Sequence, residues 1–162
     1  MDTNELSWAA GFMDGEGTVT IKRYKRGKNG WLGYQSWITC AQVDKPRNVI
    51  ALKRLHHLFG GGFTKWRNKG FRLDTVTWCV VSQKARRCAI QLLPFLIIKK
   101  PQAKILIQFT SRQKGKAGYR LTPKDRKDYA NFWKRMRKLN VKGKLRLQRL
   151  SEEAPQNGDA IV

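Results

Sequence analysis

Twice between residues 18 and 94 the chain spells strand, turn, strand, helix, and that doubling constrains the fold more than any other feature. Thr18 to Arg26 alternates, with Thr18, Thr20, Lys22, Tyr24 and Arg26 on one face and Val19 and Ile21 opening the other. Lys25 to Gly33 is basic and glycine-rich and contains Asn29-Gly30, a hairpin signal because a two-residue turn needs positive φ. Tyr34 to Val43 reads as the returning strand, rich in aromatic and β-branched residues. Asp44 is expected to cap a helix that carries Pro46 in its first turn, where a missing N–H costs nothing. Val49, Leu52, Leu55 and Phe59 make the apolar stripe of that helix, and Gly60-Gly61-Gly62 stops it. Phe63 to Arg67 and Phe71 to Val81 then repeat the hairpin around Asn68-Lys69-Gly70. Ser82 is expected to cap a further helix, with Ala85, Cys88, Ala89 and Leu92 inward and Pro94 at its end.

A helical pattern precedes the first hairpin, so the order is helix, two strands, helix, two strands, helix. That order predicts an α+β fold with an antiparallel sheet. A fourth helix follows Pro101 and carries Ala103, Leu106, Ile107 and Phe109. Residues 112–120 form a basic, glycine-containing linker. Thr122-Pro123-Lys124-Asp125 then starts another helix, whose buried stripe is Tyr129, Phe132, Trp133 and Met136. We expect residues 1–111 to be the core, with residues 112–162 as linker, C-terminal helix and tail packed on the same domain. A chain of 162 residues can bury a core without disulfides or structural metals. Cys40, Cys79 and Cys88 read as reduced thiols of an intracellular protein, in cytoplasm, nucleoid or organelle. No spacing suggests zinc, and His56 and His57 are adjacent, so a helix points them apart.

Charge narrows the partner. Thirty-four Lys and Arg against eleven Asp and Glu give +23, far more than solubility requires. A polyanion is implied, and double-stranded DNA is the first candidate. A membrane is not expected, since no apolar run could span one and no signal peptide is visible.

The chemistry concentrates in Trp8-Ala9-Ala10-Gly11-Phe12-Met13-Asp14-Gly15-Glu16-Gly17. On a helix, Ser7, Gly11 and Asp14 share one stripe with Ala10 beside them, small enough for a second helix to approach backbone to backbone. Leu6, Phe12 and Met13 are left for the core. Gly15 and Gly17 are expected to break the helix and leave Glu16 beside its negative end. Acids there either face water or, with the outward carbonyls, bind a divalent cation. The stretch occurs once, so a matching stripe has to come from another copy of the chain. That predicts a two-fold homodimer, with the two Glu16 carboxylates close together and cations between them.

Residues Ala9 to Gly17 resemble the signature of the LAGLIDADG homing endonucleases position for position, with Ala9 in place of leucine and Glu16 in place of the final aspartate. The resemblance implies the αββαββα fold, with a DNA-binding antiparallel sheet and extra C-terminal helices. It implies a site-specific DNA endonuclease that makes a staggered double-strand break in a long, pseudo-palindromic site, serving intron homing. Glu16 and the Gly15 carbonyl would coordinate Mg²⁺, with Mn²⁺ or Ca²⁺ able to occupy the same sites. Pro94-Phe95-Leu96-Ile97-Ile98-Lys99 is similar to the family segment ending in a catalytic lysine, which makes Lys99 the candidate. Gln42-Val43-Asp44-Lys45 is similar to the segment after the second strand. There Gln42 matches a base-contacting position, and Lys45 stands where a polar residue, often glutamine, serves the catalytic water network.

A two-stranded ribbon fits the major groove and meets base edges with its outward residues. The expected DNA-binding set is Thr20, Lys22, Tyr24 and Arg26, extended by Ser36, Gln42, Lys65, Arg67, Arg72 and Asp74. Five of the seven residues from Lys22 to Lys28 are Lys or Arg, which favours contact over a merely solvated face. On the fourth strand either Val76 and Trp78 or Thr75 and Thr77 point outward. Lys127, Lys134, Arg135 and Lys138 of the C-terminal helix are expected on phosphates. The alternatives are a maturase that binds intron RNA on the same fold and a non-catalytic DNA-binding regulator. A pure binder gains nothing from an acid at its centre.

Overall fold

The computed structural model describes residues 2–26, 31–67, 73–113 and 121–141, with Arg26 and Trp31 described in main chain only. Their elements run α1 (Thr3–Glu16), β1 (Gly17–Arg26), β2 (Trp31–Val43), α2 (Pro46–Phe59), β3 (Gly62–Trp66), β4 (Thr75–Val81), α3 (Ser82–Leu92), α4 (Lys100–Arg112) and α5 (Pro123–Leu139). The strands form one antiparallel sheet in the order β1-β2-β4-β3, so the two hairpins abut through their second strands. This is the expected α+β plan.

The sheet has one buried and one open face. Val19, Ile21, Tyr34, Ser36, Ile38, Cys40, Val76, Trp78 and Val80 are buried, and they meet Ala9, Ala10 and Met13 of α1 with the inward stripes of the other helices. Burying each large side chain of that set is worth roughly 1.5–3 kcal/mol. α5 belongs to the same core. Tyr129 packs edge-on against Phe109, with ring centroids 5.3 Å apart, and its hydroxyl donates to the Arg112 carbonyl at 3.0 Å. Asn140, just past α5, donates through Nδ2 to the Val19 carbonyl at 2.9 Å. No helix among the described residues is long and apolar enough to cross a membrane.

Local chemistry explains the boundaries, several of which depart from expectation: β2 starts at Trp31 and β3 spans Gly62–Trp66. α1 continues through Gly15 to Glu16, and the chain turns at Gly17, whose N–H donates to the Met13 carbonyl. A Cβ on Gly17 would lie 2.0 Å from Met13 Cε, so this position needs glycine for close approach. Asp44 does not cap α2. Lys45 occupies the N-cap without a side-chain bond, and Asp44 pairs with Lys65. Ser82 is the first residue of α3, not its cap, and takes φ 53°. β2 holds it there, because Gln35 Nε2 donates to Ser82 Oγ at 3.1 Å and Ser36 Oγ donates to the Ser82 carbonyl at 3.3 Å. β4 begins only at Thr75, whereas the expected capping box at Thr122 and Asp125 forms in full.

Candidate active site and nucleic-acid interface

The acid the sequence singled out is the last residue of α1, exposed at the junction with β1. Gln42 Nε2 donates to Glu16 Oε2 at 3.0 Å, which leaves the other carboxylate oxygen directed to solvent or ligand. Carbonyls in the last turn of a helix have no partner within the helix. Of these, Met13 O accepts from Gly17 and Asp14 O accepts from the Lys99 ammonium. Glu16 and Lys99 are therefore brought to the same helix end from positions 83 residues apart in the chain. Cys40 lies beneath them, its thiol pushed up to about 11 by burial first and the Glu16 charge second, against smaller opposing effects of Gln42 and Lys99.

Asp14 has a different task from the one expected. Its carboxylate accepts from the main-chain N–H of Ile97 at 2.7 Å, Ile98 at 3.1 Å and Lys99 at 2.8 Å. Those amides lead into the N-terminus of α4, where an anion is favoured. Burial raises the Asp14 carboxyl, but the three donors together with the Lys99 charge outweigh it and hold the carboxyl below the ordinary aspartate value. Asp14 is thus a clamp within the protomer and not part of a free dimer stripe. Ala10 leaves the stripe as well, because it is fully buried. What remains open on α1 is Ser7, Gly11 and Gly15, spaced by four, with empty space above both glycines.

The groups at the α1 end are oxygen donors of the kind that hold Mg²⁺ or Ca²⁺. One carboxylate and the carbonyls of Gly15 and Glu16 fit part of such a ligand set. Among the described residues no cluster of three His, Cys, Asp or Glu completes it. Lys45 has an exposed side chain, and no contact among the described residues joins it to Glu16.

The open face of the sheet is set by strand pairing. Thr20 lies opposite Trp37, Lys22 opposite Gln35, and Thr18 opposite Thr39, so these residues share the outer face. Thr75 and Thr77 join it and Val76 and Trp78 face the core, which resolves the fourth strand. Thr20, Lys22 and Tyr24 are therefore where expected. Ser36 is not, since it is fully buried and bonded to Ser82. Gln42 has the core-facing parity and serves Glu16 instead of the outer face. Lys65 lies opposite the inward Val76 and is paired with Asp44. Arg67 is exposed just beyond β3, and Asp74 precedes β4 with its carbonyl accepting from Asp44 N at 2.8 Å. Arg72 and the side chain of Arg26 lie outside the described residues.

Three features escaped the sequence reading: the Asp14 clamp, the bond from Gln42 to Glu16, and the outward placement of Gln35 and Trp37. Ile38 and Cys40 could have signalled the last, being apolar at the parity of Ser36, but Trp37, Ala41 and Val43 are apolar at the other. Lys127, Lys134, Arg135 and Lys138 are exposed on α5 as expected. The last three line an open cleft of about 760 Å³ against α4, together with Arg112. Trp133 is half-buried beneath Arg23, 4.3 Å away, a core role rather than a stacking platform.

No family model matches the chain. It is similar to the DNA endonuclease I-CvuI of Chlorella vulgaris, 26% identical over 112 residues, or 68% of this chain and 66% of that protein. The match thus spans just under two thirds of the relative's length. The crystal structure of the homing endonuclease I-CvuI with its target and calcium superposes with a TM-score of 0.71 at 22% identity, covering 87% of this chain and 85% of that one. The I-SmaMI LAGLIDADG homing endonuclease bound to cleaved DNA gives 0.63 at 18% identity, covering 84% of this chain but only 45% of its own. These solved structures establish the likeness in fold.

Proposed function

We propose that the chain is a LAGLIDADG homing endonuclease, a site-specific DNA endonuclease that breaks both strands of a long, pseudo-palindromic site with staggered ends, in intron homing. One observation carries the reading. The exposed Glu16 carboxylate, oriented by Gln42 and neighboured by the Lys99 ammonium, stands at the margin of an open, hydroxyl- and lysine-bearing sheet face. A duplex held on that face by the outward residues of β1 and β2 brings its phosphates toward the acid.

Glu16 and the Gly15 carbonyl are the groups that would hold Mg²⁺, or Mn²⁺ or Ca²⁺ in its place, which would supply charge stabilisation and a more acidic bound water. Lys99 neutralises charge developing on the phosphate or orients the attacking water. Lys45 is a weaker candidate for the same water network, by position alone. Residues 1–111 would form the cutting core and residues 112–162 an appendage that adds phosphate contacts through α5.

The functional unit would be a homodimer. One protomer offers the single Glu16 acid to two strands. The bare Ser7, Gly11 and Gly15 stripe admits a second copy of α1 at close range. Ile97 and Ile98 are 84% and 67% exposed beside the Asp14 clamp, apolar surface that a partner copy would cover. I-SmaMI, with 45% of its length matched, has room for two such units in one chain.

The test is purified protein with Mg²⁺ and a plasmid library. A discrete double-strand cut is expected, abolished by Glu16→Gln with duplex binding retained. No discrete cut, or cutting undiminished in Glu16→Gln, refutes the reading. A protein that sediments as a monomer on duplex DNA refutes the dimer.

A further inference from the structure

The outer face of β1 and β2 carries a tryptophan whose polar atom is already in use. Trp37 lies opposite Thr20 on one side and Val81 on the other. Its Nε1 donates to Gln35 Oε1 at 3.1 Å, and the Gln35 amide in turn donates through Nε2 to Ser82 Oγ at 3.1 Å. The Lys22 ammonium sits 3.6 Å from the centre of the Trp37 ring. An indole has one donor and no acceptor, so Trp37 has no further hydrogen bond to give. Gln35 uses one amide N–H and one carbonyl lone pair within the protein, which anchors its side chain to Ser82 and Trp37 instead of leaving it free to turn toward a base.

What this patch presents outward is therefore the hydrocarbon edge of a fixed indole, flanked by Val81. In the major groove the apolar feature that distinguishes one unmodified base from the others is the 5-methyl group of thymine. The ring is fixed before any ligand arrives, so binding costs little side-chain entropy there. Resting on the reading of the sheet face as a DNA-binding surface, we propose that Trp37 is a specificity-determining residue that selects thymine through its 5-methyl group, with Gln35 acting as its positioning residue. Lys22, held over the ring, remains able to donate to an acceptor on the neighbouring base or phosphate.

The experiment uses the Glu16→Gln protein, so that binding is read apart from cutting. Duplexes are selected from a randomised library by binding, and each thymine of the selected sequence is replaced singly by uracil, which removes only the methyl group. One position in each half-site is expected to lose about fourfold in affinity, the worth of one buried methyl-sized group. Trp37→Ala, checked for an unchanged Tm, is expected to bind thymine and uracil equally at that position and to lose its preference there in a fresh selection. Trp37→Phe, which keeps a ring, is expected to retain the preference. Replacing the base pair by one with 5-methylcytosine in the thymine's place should restore part of the affinity that plain cytosine loses.

Equal binding of uracil and thymine at every position overturns the proposal, as does an unchanged selected sequence in Trp37→Ala. If no duplex is enriched at all, the DNA-binding reading falls with it. If duplex is enriched, and the wild-type protein cuts it, without any sensitivity to uracil, only the role of Trp37 falls.

Discussion

Removing the Asp14 carboxylate should loosen α4 from α1 and lower the stability of the whole protein. Its two oxygens accept three main-chain N–H bonds at 2.7, 3.1 and 2.8 Å, all from the segment that leads into α4. A hydrogen bond to a charged group is worth about 1.5–3 kcal/mol, but the three share one carboxylate and do not add in full. Counting the three together as about two independent charged bonds gives about 3 kcal/mol for Asp14→Ala. At about 3 °C per kcal/mol for a chain of this size, Tm should fall by about 9 °C in a calorimetric or circular-dichroism melt. The effect also has a pH signature. The folded carboxyl lies below its ordinary value because the main-chain donors and the Lys99 charge outweigh the opposing effect of burial. A depressed pKa means that the stabilisation is fully present above the unfolded aspartate value, about 3.9, and disappears as pH falls through the folded one. The gap in Tm between wild type and Asp14→Ala should stay constant from neutral pH down to about 5 and narrow below about 4, as the charge-dependent part of the stabilisation is lost. Asp14→Asn, an acceptor without charge, should fall between the two. A Tm within about 2 °C of wild type, or a gap that does not narrow in acid, refutes the assignment of Asp14 as a clamp.

Lys99→Met should slow single-turnover cutting by about 100- to 1,000-fold with duplex affinity unchanged, as loss of a group that acts on developing charge does. A parallel loss of binding would make Lys99 an ordinary phosphate contact. Gly17→Ala places a Cβ 2.0 Å from Met13 Cε and 2.7 Å from Met13 O, so denaturant unfolding should show a loss of about 1–3 kcal/mol; an unchanged midpoint would show that the α1 end has slack. Burial and the Glu16 charge push the Cys40 thiol up to about 11, and burial also raises that of Cys88. At pH about 8 the native protein should therefore be alkylated at the half-buried Cys79 before either of them, and mass spectrometry finding Cys40 modified first would contradict its placement.

The element order, the capping box at Thr122 and Asp125, the inward stripes of α3 and α5, and the acid at the α1 terminus were all legible in the chain itself. Each is local: turns need glycine or asparagine where φ is positive, helices need caps, and a stripe declares itself every three to four residues. Which face of β2 looks outward was not local. Tyr34, Ile38 and Cys40 on one side and Trp37, Ala41 and Val43 on the other make both faces look apolar, and a shift of one residue exchanges every side chain. Pairing with β1 and β4 decided it, burying Ser36 and turning Gln42 toward Glu16. Asp14 followed the same logic. In sequence it was a small polar residue on an open helical stripe, and only the arrival of the Ile97 to Lys99 amides from far along the chain gave its charge an internal partner. Periodicity reports what a residue's own neighbours favour, whereas a carboxylate is committed by whichever donors tertiary packing brings to it.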